Sequence, residues 1–333
     1  MQRKGPGLLL RDILKGTDPK IDATVAVIGK VNPDVILLTG FDFDQGLVAL
    51  NAYVGALSIA GAEYPYSYAL RPNSGVATGL DLDGDGRLGG PGDAQGWGQF
   101  FGQGAMALLS RYPVDQAKSK DFTGYLWKDL PGSLMTGAGL TSSAQAIQRL
   151  PTTGHWDVAL DLPDGKVLHL SAFFASPPVF DGPEDRNGRR NHDEVAFWQA
   201  YIDGKLPMRP PDGAFVILGD ANLDPVDGDG RGDAMRALLA DPHLQDPAPT
   251  SSGGFAAALL PLNARHRGEP GRATAVWDKP GQPGALRVDY VLPSADMKVT
   301  GSGVFWPAAD EDDGALAEGA SRHRLVWVDV APP

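Results

Sequence analysis

Seven apolar runs of strand length recur along the chain, each closed by Gly, Pro, Asp or Ser: residues 35–39, 105–110, 156–160, 167–174, 214–219, 286–292 and 325–330. Several are apolar at successive positions, so they must be covered on both faces. Helical spacing appears over residues 20–30, where Ile21, Val25 and Ile28 fall about one turn apart, and again over 192–202 and 233–239, with Asp233 as N-cap. Strands interleaved with a few helices predict an α/β protein, two sheets packed face to face with helices outside. The 43 Gly and 28 Pro are scattered among these runs, not gathered into a linker, so residues 1–333 read as one loop-rich domain. No tandem repeat is present.

Composition removes several kinds of chemistry. With no cysteine, disulfides, thiolate metal sites and thiol nucleophiles are excluded, and the compartment stays open. A formal charge of −12 opposes tight binding to a polyanion through long-range attraction, and no extended basic surface is expected. The longest uninterrupted apolar run, residues 255–260, is far short of the ~18–20 residues of a membrane span, so a soluble chain with no membrane partner is expected. The first residues carry no apolar stretch of signal-peptide type.

Three segments carry candidate chemistry. In Phe215-Val-Ile-Leu-Gly219-Asp220-Ala221-Asn222 a buried strand delivers a carboxylate and, two residues on, an amide into the same loop, an arrangement suited to activating water and holding a reacting group. An Asp at a strand end equally well forms a turn. Asp289, in Leu286-Arg-Val-Asp-Tyr-Val-Leu292, and His323, in Ser321-Arg322-His323, would make an orienting pair if their segments are neighbours. Either could instead be a structural hydrogen-bonding residue. The third segment, Gly104 to Pro113, reads alone as a core strand turning at Ser110-Arg111.

Taken together and in this order, these segments resemble the endonuclease/exonuclease/phosphatase superfamily. Pro33-Asp34-Val-Ile-Leu-Leu38 is similar to its strand before a metal-binding Glu, Gly104 to Pro113 to its "A-x-L-S-R-x-P" strand, Gly219 to Asn222 to its "G-D-x-N", and Ser321-Arg322-His323 to its "S-D-H". Pro177 to Asn191 resembles a long motif of uncharacterised bacterial members. The resemblance runs from about Leu10 to Val330. It implies a four-layer α/β/β/α sandwich of two mixed sheets and phosphoester hydrolysis with Mg²⁺ or Mn²⁺. It places the general base on Asp220, the substrate-positioning amide on Asn222, and an Asp–His pair on Asp289 and His323.

The departures cluster in the metal shell. Gly40 stands where the metal-binding Glu is expected, Arg322 where the Asp of "S-D-H" is, and Phe174 where a phosphate-binding His is. The family's first strand, with its metal-contacting Asn, is not found in this sequence, which implies an unpaired edge or a gap near Leu37. Asp42, two residues beyond Gly40 and so on the same face of a strand, is the candidate replacement ligand, and reads equally well as an N-cap or a solvated carboxylate. Arg322 could itself take the cation's place and clamp phosphate. Two outcomes follow: a phosphoester hydrolase with an altered, impaired metal site acting on a phosphorylated small molecule or nucleic acid, or an inactive member that binds a phosphorylated ligand or serves a structural role.

Asp81, Asp83 and Asp85 occupy positions 1, 3 and 5 of a Ca²⁺-type loop with Gly86 at 6, but position 12 is Gly92; an Asx turn reads equally well. Arg186 and Arg189 lie in the one local concentration of positive charge, fit either for phosphate or for a salt-bridged helix start.

Overall fold

The computed structural model describes residues 1–331. Two helices, α1 (Leu8–Lys15) and α2 (Pro19–Val31), precede β1 (Val35–Phe41) and α3 (Val48–Ile59). Asp18 caps α2, accepting from Lys20 N at 2.9 Å and Ile21 N at 3.2 Å ahead of Pro19 at the first helical position. Next come β2 (Tyr66–Tyr68), β3 (Ala105–Ser110), β4 (Val114–Asp121), α4 (Ser142–Ile147), β5 (His155–Asp161), β6 (Val167–Phe174) and α5 (Arg186–Ile202). Then follow β7 (Phe215–Asp220), α6 (Asp233–Leu239), α7 (Ser252–Ala258), β8 (Ala275–Trp277), β9 (Gly284–Leu286), β10 (Asp289–Pro293), β11 (Val299–Phe305), α8 (Gly314–Ala320) and β12 (Leu325–Val330).

One sheet runs β1-β3-β2, a second β10-β7-β6-β5-β4, and β11-β12 and β8-β9 form two-stranded pieces. The strand period of two sorts their residues into layers. On β3, Met106 and Leu108 pack between the sheets against Trp156, Val158 and Leu170. Ala107 and Leu109 point the other way, onto Leu9, Ile21, Leu50 and Tyr53 of α1–α3. On β7, Val216 and Leu218 join the inter-sheet layer, whereas Phe215 and Ile217 pack under Val195, Trp198 and Met235 of α5 and α6. The result is the expected four-layer α/β/β/α sandwich.

Three expectations need correction. Residues 286–292 are not one strand: Arg287 N goes to Asp224 Oδ2 (2.8 Å), and Val288 N and Asp289 N both go to Thr274 Oγ1 (3.0 Å each), so the ladder breaks between β9 and β10. The helix expected over 192–202 begins six residues earlier, at Arg186, because its first turns are polar and carry no apolar period. Asp233 is the first residue of α6; Gly232 holds the cap position.

The expected edge near Leu37 is present. β1 pairs with β3 on one side only and β12 with β11 on one side only, and a cavity of about 920 Å³ lies between these two strands. The carboxyl end of β7 opens into it. No helix among the described residues is long and apolar enough to cross a membrane.

Candidate active site

Gly219 precedes the key carboxylate for a packing reason: a Cβ there would strike the Phe173 carbonyl of the neighbouring parallel strand. Asp220 ends β7 and pairs in register with Asp289, which starts β10. The two carboxylates therefore leave the sheet at the same place. His323 reaches them from the segment before β12, which an antiparallel bridge to Ala275 and the bond Arg324 N to Thr274 O (2.7 Å) hold in position.

His323 Nδ1 lies 3.1 Å from Asp289 Oδ2, 3.2 Å from Asp289 Oδ1 and 3.5 Å from Asp220 Oδ2. Engaging Nδ1 in this way leaves Nε2 for a ligand. The Trp277 ring packs edge-on against the imidazole, centroids 5.4 Å apart. Burial works against a charged His323, but the charges of Asp289 and Asp220 outweigh it and raise the imidazole to about 9. Burial, with the charge of Asp289 adding to it, pushes the Asp220 carboxyl up to about 7 despite the opposing charge of His323. Burial thus holds Asp220, and the facing carboxylates hold His323, above its ordinary value.

Sequence reading missed Thr274. Its hydroxyl donates to Asp289 Oδ2 (2.8 Å) while accepting the Val288 and Asp289 N–H groups, so it fixes the carboxylate that orients His323. Nothing local marks it, since a Thr in a loop acquires this role only when residues 288–289 fold beside it. Asn222 takes a left-handed backbone, φ 47°, which Asn tolerates better than most residues. Its N–H caps Asp220 Oδ1 (2.8 Å), and its side-chain Nδ2 donates to Ala175 O (2.9 Å), tying the ends of β6 and β7 together. One Nδ2 hydrogen and Oδ1 remain for other partners.

The other expected residues take no part in this group, although Arg322 and Phe174 adjoin it. Asp42 is buried and accepts Arg3 N and Gly104 N, one on each oxygen at 2.8 Å; burial raises its carboxyl above the usual range despite these bonds. Gly40 sits at a bulge between β1 and β3 with φ 67°, a conformation that glycine adopts without strain, so its lack of a side chain has a backbone reason. Arg322 is exposed beside His323, and its charge opposes protonation of that ring. Phe174 pairs in register with Asp220 and packs at the inter-sheet core. Arg186 and Arg189 belong to the first turn of α5 and do not line the cavity; Arg189 Nε donates to Glu184 O at 3.0 Å. Asp81, Asp83 and Asp85 form a separate loop whose carboxylates approach within 4.8 Å of one another, while Asp81 also accepts Gly84 N and Gly86 N.

The architecture has counterparts among solved structures. An endonuclease/exonuclease/phosphatase from Beutenbergia cavernae DSM 12333 superposes with a TM-score of 0.54 at 17% identity, over 94% of this chain. This chain spans 65% of the length of that protein. A family protein from Leptotrichia buccalis C-1013-b gives a TM-score of 0.51 at 15% identity, covering 95% of this chain and 94% of its own. No curated protein matches this sequence. The sequence pattern of the Endonuclease/Exonuclease/phosphatase family matches residues 13–323, an interval that holds Asp220, Asn222, Asp289 and His323, and the chain belongs to that family.

Proposed function

We propose that the chain is a divalent-metal-dependent phosphoester hydrolase whose reaction centre is Asp220, Asp289 and His323. The observation that carries this reading is His323 Nδ1 held between two carboxylates at the edge of a large cavity. Family membership supplies the reaction class.

The roles follow from the electrostatics. Asp289, itself held by Thr274, fixes the ring so that Nε2 presents a proton and a positive charge to a phosphoryl oxygen. Asp220, set at the strand end 3.5 Å from His323 Nδ1, takes the proton of an attacking water. Asn222 offers its remaining amide hydrogen to the substrate from the same loop. The carboxylate oxygens that Asp220 and Asp289 present lie within 4.8 Å of each other and are hard donors that Mg²⁺ or Mn²⁺ accepts, and Asp220, whose charge is penalised by burial, gains from a cation. Asp220 and Asp289 would hold that ion, which supplies charge neutralisation when bound. In this reading Asp42 serves as the anchor of the loop after β1. The charge of −12 favours a small or short phosphoester over a long polyanion.

A second reading, binding of a phosphorylated ligand without turnover, is favoured by Gly40 and Phe174, which offer no polar group at the ends of β1 and β6. The two separate on a chromogenic phosphodiester and phosphomonoester assayed with Mg²⁺ or Mn²⁺. Hydrolysis that stops with EDTA and falls at least about 100-fold in Asp220→Asn supports the first. Ligand binding with no hydrolysis under any of these conditions supports the second.

A further inference from the structure

α5 covers the second sheet with Val195, Phe197, Trp198 and Tyr201, yet it also buries a polar group on each of Arg190, Asn191 and Glu194. Buried polar groups need partners, and those of these three side chains find them in the loops, except Asn191 Oδ1, which has none among the described residues. Arg190 donates to the carbonyls of Gln95, Arg149, Leu150 and Pro151. Glu194 accepts Thr152 N at 2.5 Å, and Ser176 N and Oγ at 2.8 Å.

Asn191 differs from both in where it reaches. Its Nδ2 donates to Ser176 O and to Ala221 O, each at 2.7 Å, and the residue is fully buried. Ser176 lies two residues beyond the end of β6, and Ala221 stands between Asp220 and Asn222. Both amide hydrogens are therefore spent on joining the two strand-end loops around the reaction centre. The helix that carries Asn191 is held by its aromatic contacts, so the carboxamide is a fixed post.

We propose that Asn191 is a positioning residue of this site: it clamps the loops after β6 and β7 so that Asp220 faces His323 and Asn222 keeps its left-handed turn. Chemically the post must be an amide. An Asp at this position has no N–H to give and would turn a carboxylate toward two carbonyl oxygens. The proposal rests on the hydrolase reading only for its kinetic consequence; the geometric consequence is read on His323 itself.

The test compares Asn191→Ala with Arg190→Lys, which loosens the same helix where it holds other loops. Turnover of the chromogenic phosphodiester is measured together with the ring N–H proton resonance of His323. Asn191→Ala is expected to lower kcat by about tenfold or more with KM within about twofold, since a misplaced base costs the transition state and not the ground state. It is also expected to shift the His323 resonance, whereas Arg190→Lys lowers the melting temperature and leaves both readouts near the parent. A folded Asn191→Ala with the parent's kcat and resonance overturns the proposal, as does an equal change in Arg190→Lys. If Asn191→Ala does not fold, Asn191→Ser, which keeps one donor, is read in the same way. A parent that hydrolyses no phosphoester defeats the hydrolase reading, and the resonance alone then decides the role of Asn191.

Discussion

Replacing Asp289 by Asn removes the charge closest to His323 and keeps the shape of the side chain. The imidazole sits at about 9 against an ordinary 6.5 because Asp289 and Asp220 overcome the cost of burial. That gap corresponds to about 3 to 4 kcal/mol, since one pH unit corresponds to about 1.4 kcal/mol. The folded state holds this proton more tightly than the unfolded state, so the stabilisation is complete below about pH 6.5 and is lost as pH rises through about 9. In Asp289→Asn only Asp220 remains to oppose burial, and the imidazole is expected to fall by about 1.5 to 2 pH units. Ring resonances followed by NMR from pH 5 to 10, with EDTA present, measure the change directly; the six histidines of the chain are few enough to assign. Urea denaturation over the same range gives the linked quantity: the stability difference between parent and variant should shrink between pH 6.5 and 9, with the titrating groups remote from this site cancelling. A His323 that titrates near 6.5 in the parent, or at the same pH in both proteins, would refute the assignment of its charge to Asp289.

Thr274→Val keeps the volume of the side chain but strips two buried N–H groups of their acceptor and Asp289 of its donor; it should cost about 2 to 4 kcal/mol in urea denaturation, and an equal stability would deny Thr274 its role. Asp157, fully buried, receives Tyr201 OH (2.6 Å) and Lys120 Nζ (3.1 Å) and meets His169 Nδ1 at 2.6 Å, so Asp157→Asn should destabilise by about 3 to 5 kcal/mol, a loss that a denaturation curve resolves. In hydrogen exchange, amides of β1, at a sheet edge, should exchange faster than those of β3, which is paired on both sides and buried throughout; equal protection would contradict the strand order.

Where an apolar run met a clear stop, the element was legible: β3, β6, β12 and α6 have the bounds that residues 105–110, 167–174, 325–330 and 233–239 predict. Elements without that signature were not. β4, Val-Asp-Gln-Ala-Lys-Ser-Lys-Asp, is an edge strand whose polar, Lys-bearing sequence suits an exposed rim and carries no apolar run. β11 contains Gly301 and Gly303, residues that disfavour a strand, because the Trp327 ring packs where a Cβ at Gly303 would stand. α3 is apolar on most sides, with Val48 and Ile59 exposed and Leu50, Tyr53 and Leu57 buried, so no single stripe announces it. The grouping of Asp220, Asp289 and His323 was readable because strand ends bring polar residues together. Thr274 and Asn191 were not, since each acts through backbone groups that only the tertiary fold brings within reach.

The most direct test of the central claim is hydrolysis of a chromogenic phosphodiester by the purified chain and by His323→Gln, each with Mn²⁺ and with EDTA. The account predicts Mn²⁺-dependent turnover in the parent and a loss of at least about 100-fold in the folded variant. Turnover by His323→Gln equal to the parent's, or a folded parent that hydrolyses neither this substrate nor a phosphomonoester with either metal, would contradict it.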